Sequence, residues 1–176
     1  MAAGVLFYAV HEHAVHFLIG KEQYHPHWPD SEKWADCGGG VDAKDVDVYE
    51  TAAREAWEET MGCVHTYETL LSRLRNDEAQ CVFDVQVVNG VGGYRIYLLH
   101  VPYADYNTML VRFRSFLRRH KVQIMNAEKS RLCWICSQQL IDIARECDAG
   151  RNTLLRPNFA KSVVAINELV DLDRLS

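Results

Sequence analysis

No run in this 176-residue chain approaches the eighteen or more apolar residues that a bilayer-spanning helix needs. The start, Met1-Ala2-Ala3-Gly4-Val5-Leu6-Phe7, lacks a basic n-region and leads straight into strand-like sequence, unlike a secretory leader. Low-complexity tracts and internal repeats are absent too. Positive charge is not in excess: the net charge is −5, so nothing global suggests non-specific nucleic-acid binding. The six cysteines (37, 63, 81, 133, 136 and 147) include one CxxC, Cys133-Trp134-Ile135-Cys136, with no second CxxC and no paired histidines. Residues three apart on a strand point to opposite faces, which suits neither tetrahedral zinc nor a disulfide. Reduced, packed thiols and a cytoplasmic location are therefore expected, and a redox or zinc protein is the least supported reading.

What remains is ordinary globular composition, 48% hydrophobic and 24% charged, at a length suited to one domain over residues 1–176. One segment stands out. Gly38-Gly39-Gly40 is followed, after a short acidic loop, by Arg54-Glu55-Ala56-Trp57-Glu58-Glu59-Thr60-Met61-Gly62. On a helix Glu55, Glu58 and Glu59 fall at about 0°, 300° and 40°, on one narrow face. Like charges at i, i+3 and i, i+4 repel. A hard divalent cation offsets that repulsion and prefers oxygen ligands. Tyr49, Ala53, Ala56 and Trp57 lie roughly opposite, an apolar back for core packing. Asp47-Val48-Tyr49-Glu50 has capping-box form with Asp47 as N-cap, and Arg54, four residues after Glu50, has ion-pair spacing to it. The glycines let backbone approach a ligand closely. A solvated acidic helix face is the plain alternative.

These residues resemble the Nudix box: glycine, five residues, glutamate, seven residues, then Arg-Glu-hydrophobic-x-Glu-Glu-x-Gly-hydrophobic. Arg54, Glu55, Ala56, Glu58 and Glu59 match in register, with Gly40 at the expected distance. Two departures stand: Val46 occupies the first glutamate position, between Asp45 and Asp47, and the closing Gly62 comes one residue late. In the family that first glutamate supports the metal ligands indirectly, so Asp45 or Asp47 is expected to substitute.

The resemblance implies an α/β/α sandwich with a mixed sheet and a Mg²⁺- or Mn²⁺-dependent hydrolase of a nucleoside diphosphate linked to another moiety. Nucleoside triphosphates, dinucleoside polyphosphates, nucleotide sugars and capped RNA all belong to that class. Glu55, Glu58 and Glu59 would hold metal, with a carbonyl such as that of Gly39, and Arg54 would orient a ligand carboxylate. The general base is Glu55 or Glu128; Glu128 belongs to a stretch, 126–135, that resembles the family's Glu-plus-Trp strand ahead of a helix, although a surface glutamate is the plainer reading. Gly39 and Gly40, with the aromatics Tyr24 and Trp34, are the substrate-contact candidates. The competing class is a Nudix-fold module that binds nucleotide or RNA with little catalysis, for which Val46 is the support. A homodimer through the sheet edge or hairpin is compatible with either.

Elsewhere, residues 4–10 and 14–20 read as a hairpin, residues 21–31 as an ordered loop beside a pocket, and 34–37 as a short strand. Residues 63–75 look strand-prone. Cys81–Val88 and Tyr94–Val101 read as strands around an Asn89–Gly93 turn. Residues 105–120 form an amphipathic helix with Leu110, Phe113 and Leu117 on one stripe and Arg114, Arg118 and Lys121 on another face, either a surface helix or a basic arm for a polyanion. A strand at 131–135, a helix at 138–147, a linker at 151–156 and a helix at 158–169 follow.

Overall fold

The computed structural model describes residues 2–79, 81–86, 93–119 and 128–175. Its centre is a seven-stranded mixed sheet with the path β3-β2-β1-β6-β5, where β1 is Ala2–His11, β2 Ala14–Glu22, β3 Trp34–Ala35, β5 Cys81–Gln86 and β6 Gly93–His100. Two strands leave that path: β4 (Cys37–Gly39) pairs with β1, and β7 (Lys129–Cys136) pairs with β2. Among the described strands, β1 and β6 run parallel and the remaining pairs are antiparallel.

Both faces of the central strands are buried, so they read as continuous apolar runs rather than alternating ones. Ala3, Val5 and Phe7 of β1, with Tyr97 and Leu99 of β6, face one core; Leu6, Tyr8, Ile96 and Leu98 face the other. Helices α1 (Val48–Glu59), α2 (Tyr67–Arg75) and α3 (Tyr106–Arg119) cover the first face. Helices α4 (Ser137–Asp148) and α5 (Pro157–Leu169) cover the second, and a 3-10 turn (Leu172–Leu175) follows. This is the expected α/β/α layering.

The first hairpin is tight because Glu12 and His13 both adopt left-handed φ, 49° and 62°, between the paired residues His11 and Ala14; such turns match the right-handed twist of the strands. Residues 63–75 depart from the sequence reading: they carry α2, not strand. Thr66 caps it by accepting from the Thr69 amide at 3.3 Å, and Leu70 and Leu74, one turn apart, are fully buried. Burying two leucines stabilises by about 1.5–3 kcal/mol each, enough to override weak β preference. The Asn89–Gly93 turn lies outside the described residues except for Gly93, as do Val87, Val88 and Lys121. On α3, Met109 and Phe113 form the buried stripe and Arg112, Arg114, Arg118 and Arg119 are exposed. Cys37, Cys63, Cys133, Cys136 and Cys147 are free thiols, and Cys133 and Cys136 are both half-buried on β7.

Candidate active site

The site is assembled where α1 crosses β1 and β4. Asp47 caps the helix by accepting from the Glu50 amide at 2.8 Å. Glu50 reaches back to the Val46 amide at 3.0 Å, one residue earlier than a standard capping box. Ala52, Ala53 and Ala56 lie fully buried against the sheet, which turns Glu55 and Glu59 toward β4.

Each of the three glycines meets the carboxylate helix differently. The Gly38 amide donates to Glu59 Oε2 at 2.8 Å. A Cβ on Gly39 would stand 2.7 Å from the Glu55 carboxyl carbon and from both its oxygens, so only glycine lets that carboxylate lie on the strand. The Gly40 carbonyl accepts from Arg54 Nη2 at 2.8 Å.

Arg54 ties the loop to the helix. Its Nε and Nη2 donate to Asp45 at 3.1 and 2.9 Å, and its Nη1 to Glu55 at 2.8 Å and Glu58 at 3.1 Å. The expected Arg54–Glu50 pair does not form: Glu50 pairs with Arg75 at 2.9 Å, because α2 brings that guanidinium onto the α1 N-terminus. Asp45 is therefore the loop carboxylate that Arg54 grips, and its neighbour Val46 is 83% exposed. The Arg54 hydrogen bonds hold the Asp45 carboxyl down at about 2.

Glu55 and Glu59 are buried, Glu58 is half-buried, and Glu128 is exposed. Carboxylate oxygens of Glu55, Glu59 and Glu128 come within 4.8 Å of one another. Glu128 is brought there by the β2–β7 ladder, where its carbonyl accepts from the Gln23 amide at 2.9 Å. Glu58 lies outside that trio and turns to Arg54. Burial raises the Glu55 pKa, Arg54 opposes that, and the Glu128 and Glu58 charges add to it. Glu59 is raised well above the carboxylate range by burial, against the pull of Lys129. A dense, oxygen-only donor set of this kind fits a hard divalent cation.

Sequence reasoning missed the charges behind the trio. Lys129 is wholly buried, with Nζ 2.6 Å from Glu22 and 3.0 Å from Glu59. Burial acts to lower its pKa, but the two carboxylates more than offset that and keep it an ammonium. Arg156 reaches the same Glu22 oxygen at 3.2 Å. Buried Asp36 accepts from Tyr94 Oη at 2.6 Å, and burial raises its pKa. Only the β2–β7 pairing discloses Lys129, since its neighbours in sequence are those of an ordinary polar strand start.

A cavity of about 260 Å³ opens beside the glycine strand, with Asp36, Tyr94, Arg156, Asn158, Phe159 and Ser162 among its walls. Neither aromatic chosen from sequence lines it. Tyr24 is 67% exposed on its loop, and Trp34 borders a different hollow with Ile19, Trp134 and Leu155. The glycine-side cavity is lined instead by Ala35 and Asp36, and its aromatics are Tyr94 and Phe159.

The sequence profile of the NUDIX domain matches residues 1–148. No curated protein matches the chain. Among solved structures, the NUDIX domain of Shewanella oneidensis NrtR complexed with ADP ribose aligns with a TM-score of 0.55 and 14% identity, over 99% of this chain and 87% of that one. A mutT/nudix family protein from Listeria innocua gives 0.55 and 17%, over 99% and 96%. The C. elegans Ap4A hydrolase binary complex gives 0.53 and 18%, over 96% and 98%. At these identities the shared property is the fold.

Proposed function

The chain belongs to the Nudix hydrolase family, and from that premise we propose that it is a Mg²⁺- or Mn²⁺-dependent enzyme that cuts a phosphoanhydride bond in a nucleoside diphosphate linked to another moiety. The observation that carries this reading is the carboxylate trio Glu55, Glu59 and Glu128, set against Gly39 and opening beside a cavity of about 260 Å³. Glu55, Glu58 and Glu59 would hold the cation, with the Gly39 carbonyl as a further oxygen. Such an ion neutralises phosphate charge and makes hydroxide available near neutral pH. Arg54 locks Glu55 and Glu58 in place, and Glu55 or Glu128 takes the proton from the attacking water. The cavity receives the nucleoside, with Tyr94 and Phe159 as its flat apolar walls.

ADP ribose in the NrtR domain and the substrate in the name of the Ap4A hydrolase are both nucleoside diphosphates carrying a second moiety, in keeping with this class. The non-cleaving alternative rests on Val46; the Arg54–Asp45 hydrogen bonds beside it favour the catalytic reading. We take residues 1–176 as one Nudix domain working in the cytoplasm, in line with the free thiols.

The test is a panel of nucleoside triphosphates, dinucleoside polyphosphates, nucleotide sugars and capped RNA with Mg²⁺ or Mn²⁺. Release of a nucleoside monophosphate from at least one, abolished in Glu55→Gln, is the expected result. Unchanged turnover in folded Glu55→Gln would refute the site assignment.

A further inference from the structure

Lys129 has no counterpart in the box motif, yet it touches the site more intimately than Glu58 does. Its side chain is the most deeply buried charge in the chain among the described residues, at 0% exposure. It starts at the first position of β7, opposite Glu22, where the β2–β7 register shifts by one residue. From there the aliphatic stem runs over Gly20. A Cβ on Gly20 would lie 2.9 to 3.1 Å from Lys129 Cγ, Cδ and Cε, so the glycine keeps open the lane the lysine uses. At the end of that lane, Nζ sits 2.6 Å from Glu22 Oε1 and 3.0 Å from Glu59 Oε1. The other Glu59 oxygen takes the Gly38 amide at 2.8 Å. Glu59 is thus gripped at both oxygens, by an ammonium on one side and the glycine strand on the other. Glu22, gripped in turn by Arg156 at 3.2 Å, keeps the ammonium from swinging away.

We propose that Lys129 is a positioning residue of the acidic cluster, whose ammonium stands there as a resident monovalent cation, fixes the Glu59 carboxylate and competes with divalent cation for it. The proposal rests on the metal-dependent reading above. A buried ammonium and a divalent ion drawing on one carboxylate repel each other in a site screened from water. The arrangement therefore trades metal affinity for a carboxylate with a single orientation before any ion arrives. A lysine whose charge was engaged by Glu22 alone, away from Glu59, would leave metal binding indifferent to its removal.

The measurement is a Mn²⁺ titration of nucleotide-free protein, by calorimetry or water-proton relaxation, on wild type, Lys129→Met and Gly20→Ala. Lys129→Met should bind Mn²⁺ on the order of tenfold more tightly, or take up an additional equivalent. Gly20→Ala, which crowds the stem without removing the charge, should move affinity in the same direction by less. Should Lys129→Met fail to fold, Glu22→Gln/Lys129→Met removes one charge of each sign and carries the same expectation. A folded variant whose isotherm superimposes on wild type overturns the proposal. If wild type binds no Mn²⁺ while the variant does, Lys129 is upheld as the resident cation and the metal-dependent reading falls; if neither binds, both fall.

Discussion

Replacing Asp45 tests whether a one-residue slip preserves the support that the box motif lacks at Val46. Asp45 accepts two bonds from Arg54, one from Thr51 Oγ1 at 3.0 Å and one from the Asp42 amide at 2.8 Å. Its pKa, lowered from 3.8 to about 2, corresponds to a ceiling of about 2.5 kcal/mol. The side chain is itself 5% exposed, but it is covered only by a surface loop whose residues 41–44 are exposed, so partial screening brings this down to about 1 kcal/mol. The Thr51 and Asp42 hydrogen bonds are part of that same shift, so Asp45→Ala should destabilise by about 1 kcal/mol. A folded-state pKa below the unfolded one means the contribution is complete above about pH 4. It drains away as pH falls through 2. Urea unfolding of wild type and Asp45→Ala should therefore differ at pH 7 and converge toward pH 2. Turnover should fall on the order of 10- to 100-fold at pH 7, the scale of losing an outer partner of a metal ligand, because Arg54 would lose its anchor while still facing Glu55 and Glu58. Val46→Glu, which restores the motif letter at an exposed position, should change neither stability nor rate. Full activity in Asp45→Ala, or a gain in Val46→Glu, would refute the substitution.

Gly39→Ala should leave the fold intact and abolish Mn²⁺ binding and turnover together, since the nearest atoms the added methyl meets are those of the movable Glu55 carboxylate at 2.7 Å; circular dichroism and a Mn²⁺ titration read the two parts. Leu74→Ala should lower stability by about 2–5 kcal/mol, the cost of emptying a core position, whereas a surface strand at 63–75 would give a change below about 0.5 kcal/mol; a denaturant midpoint decides.

The layering and the box helix were legible because their signals are local. β1 and β2 are long apolar runs around a tight turn, and α1 announces itself through Asp47, the alanine back and the carboxylate face. Helix α2 was not, since Thr66 and the Leu70–Leu74 step are a short signal inside a segment that also holds Val64, Thr66, Tyr67 and Thr69. Helical angles put Glu58 and Glu59 on the same face with Glu55, yet they part company in space. Glu59 is drawn inward by Lys129, some seventy positions later in the chain, and Glu58 outward by Arg54. The Arg54–Glu50 pair had ideal spacing and lost to Arg75 and Asp45, which only the tertiary fold supplies. Cavity walls were least legible of all, because Tyr94 and Phe159 come from β6 and α5, far from each other in sequence and both well downstream of the motif.

The NUDIX match ends at residue 148, but the site does not. Trp34 donates its amide to the Leu154 carbonyl at 2.8 Å and accepts from the Arg156 amide at 3.0 Å, which sews the linker onto edge strand β3. Arg156 then caps α5 with Pro157 in the first turn, lies 5.2 Å from the centre of the Trp28 ring, and binds Glu22. Through Glu22 it reaches Lys129 and Glu59. The same segment supplies Asn158, Phe159 and Ser162 to the cavity. A metal box shared across a family fixes the bond that is cut, while the walls around the remainder of the substrate choose the molecule. On the proposed reading, substrate choice in this chain is therefore carried in large part by residues 156–162, outside the family signature. Changes there should redistribute activity across the nucleotide panel without altering Mn²⁺ affinity, except at Arg156, whose loss loosens Glu22 and with it the Lys129 grip on Glu59.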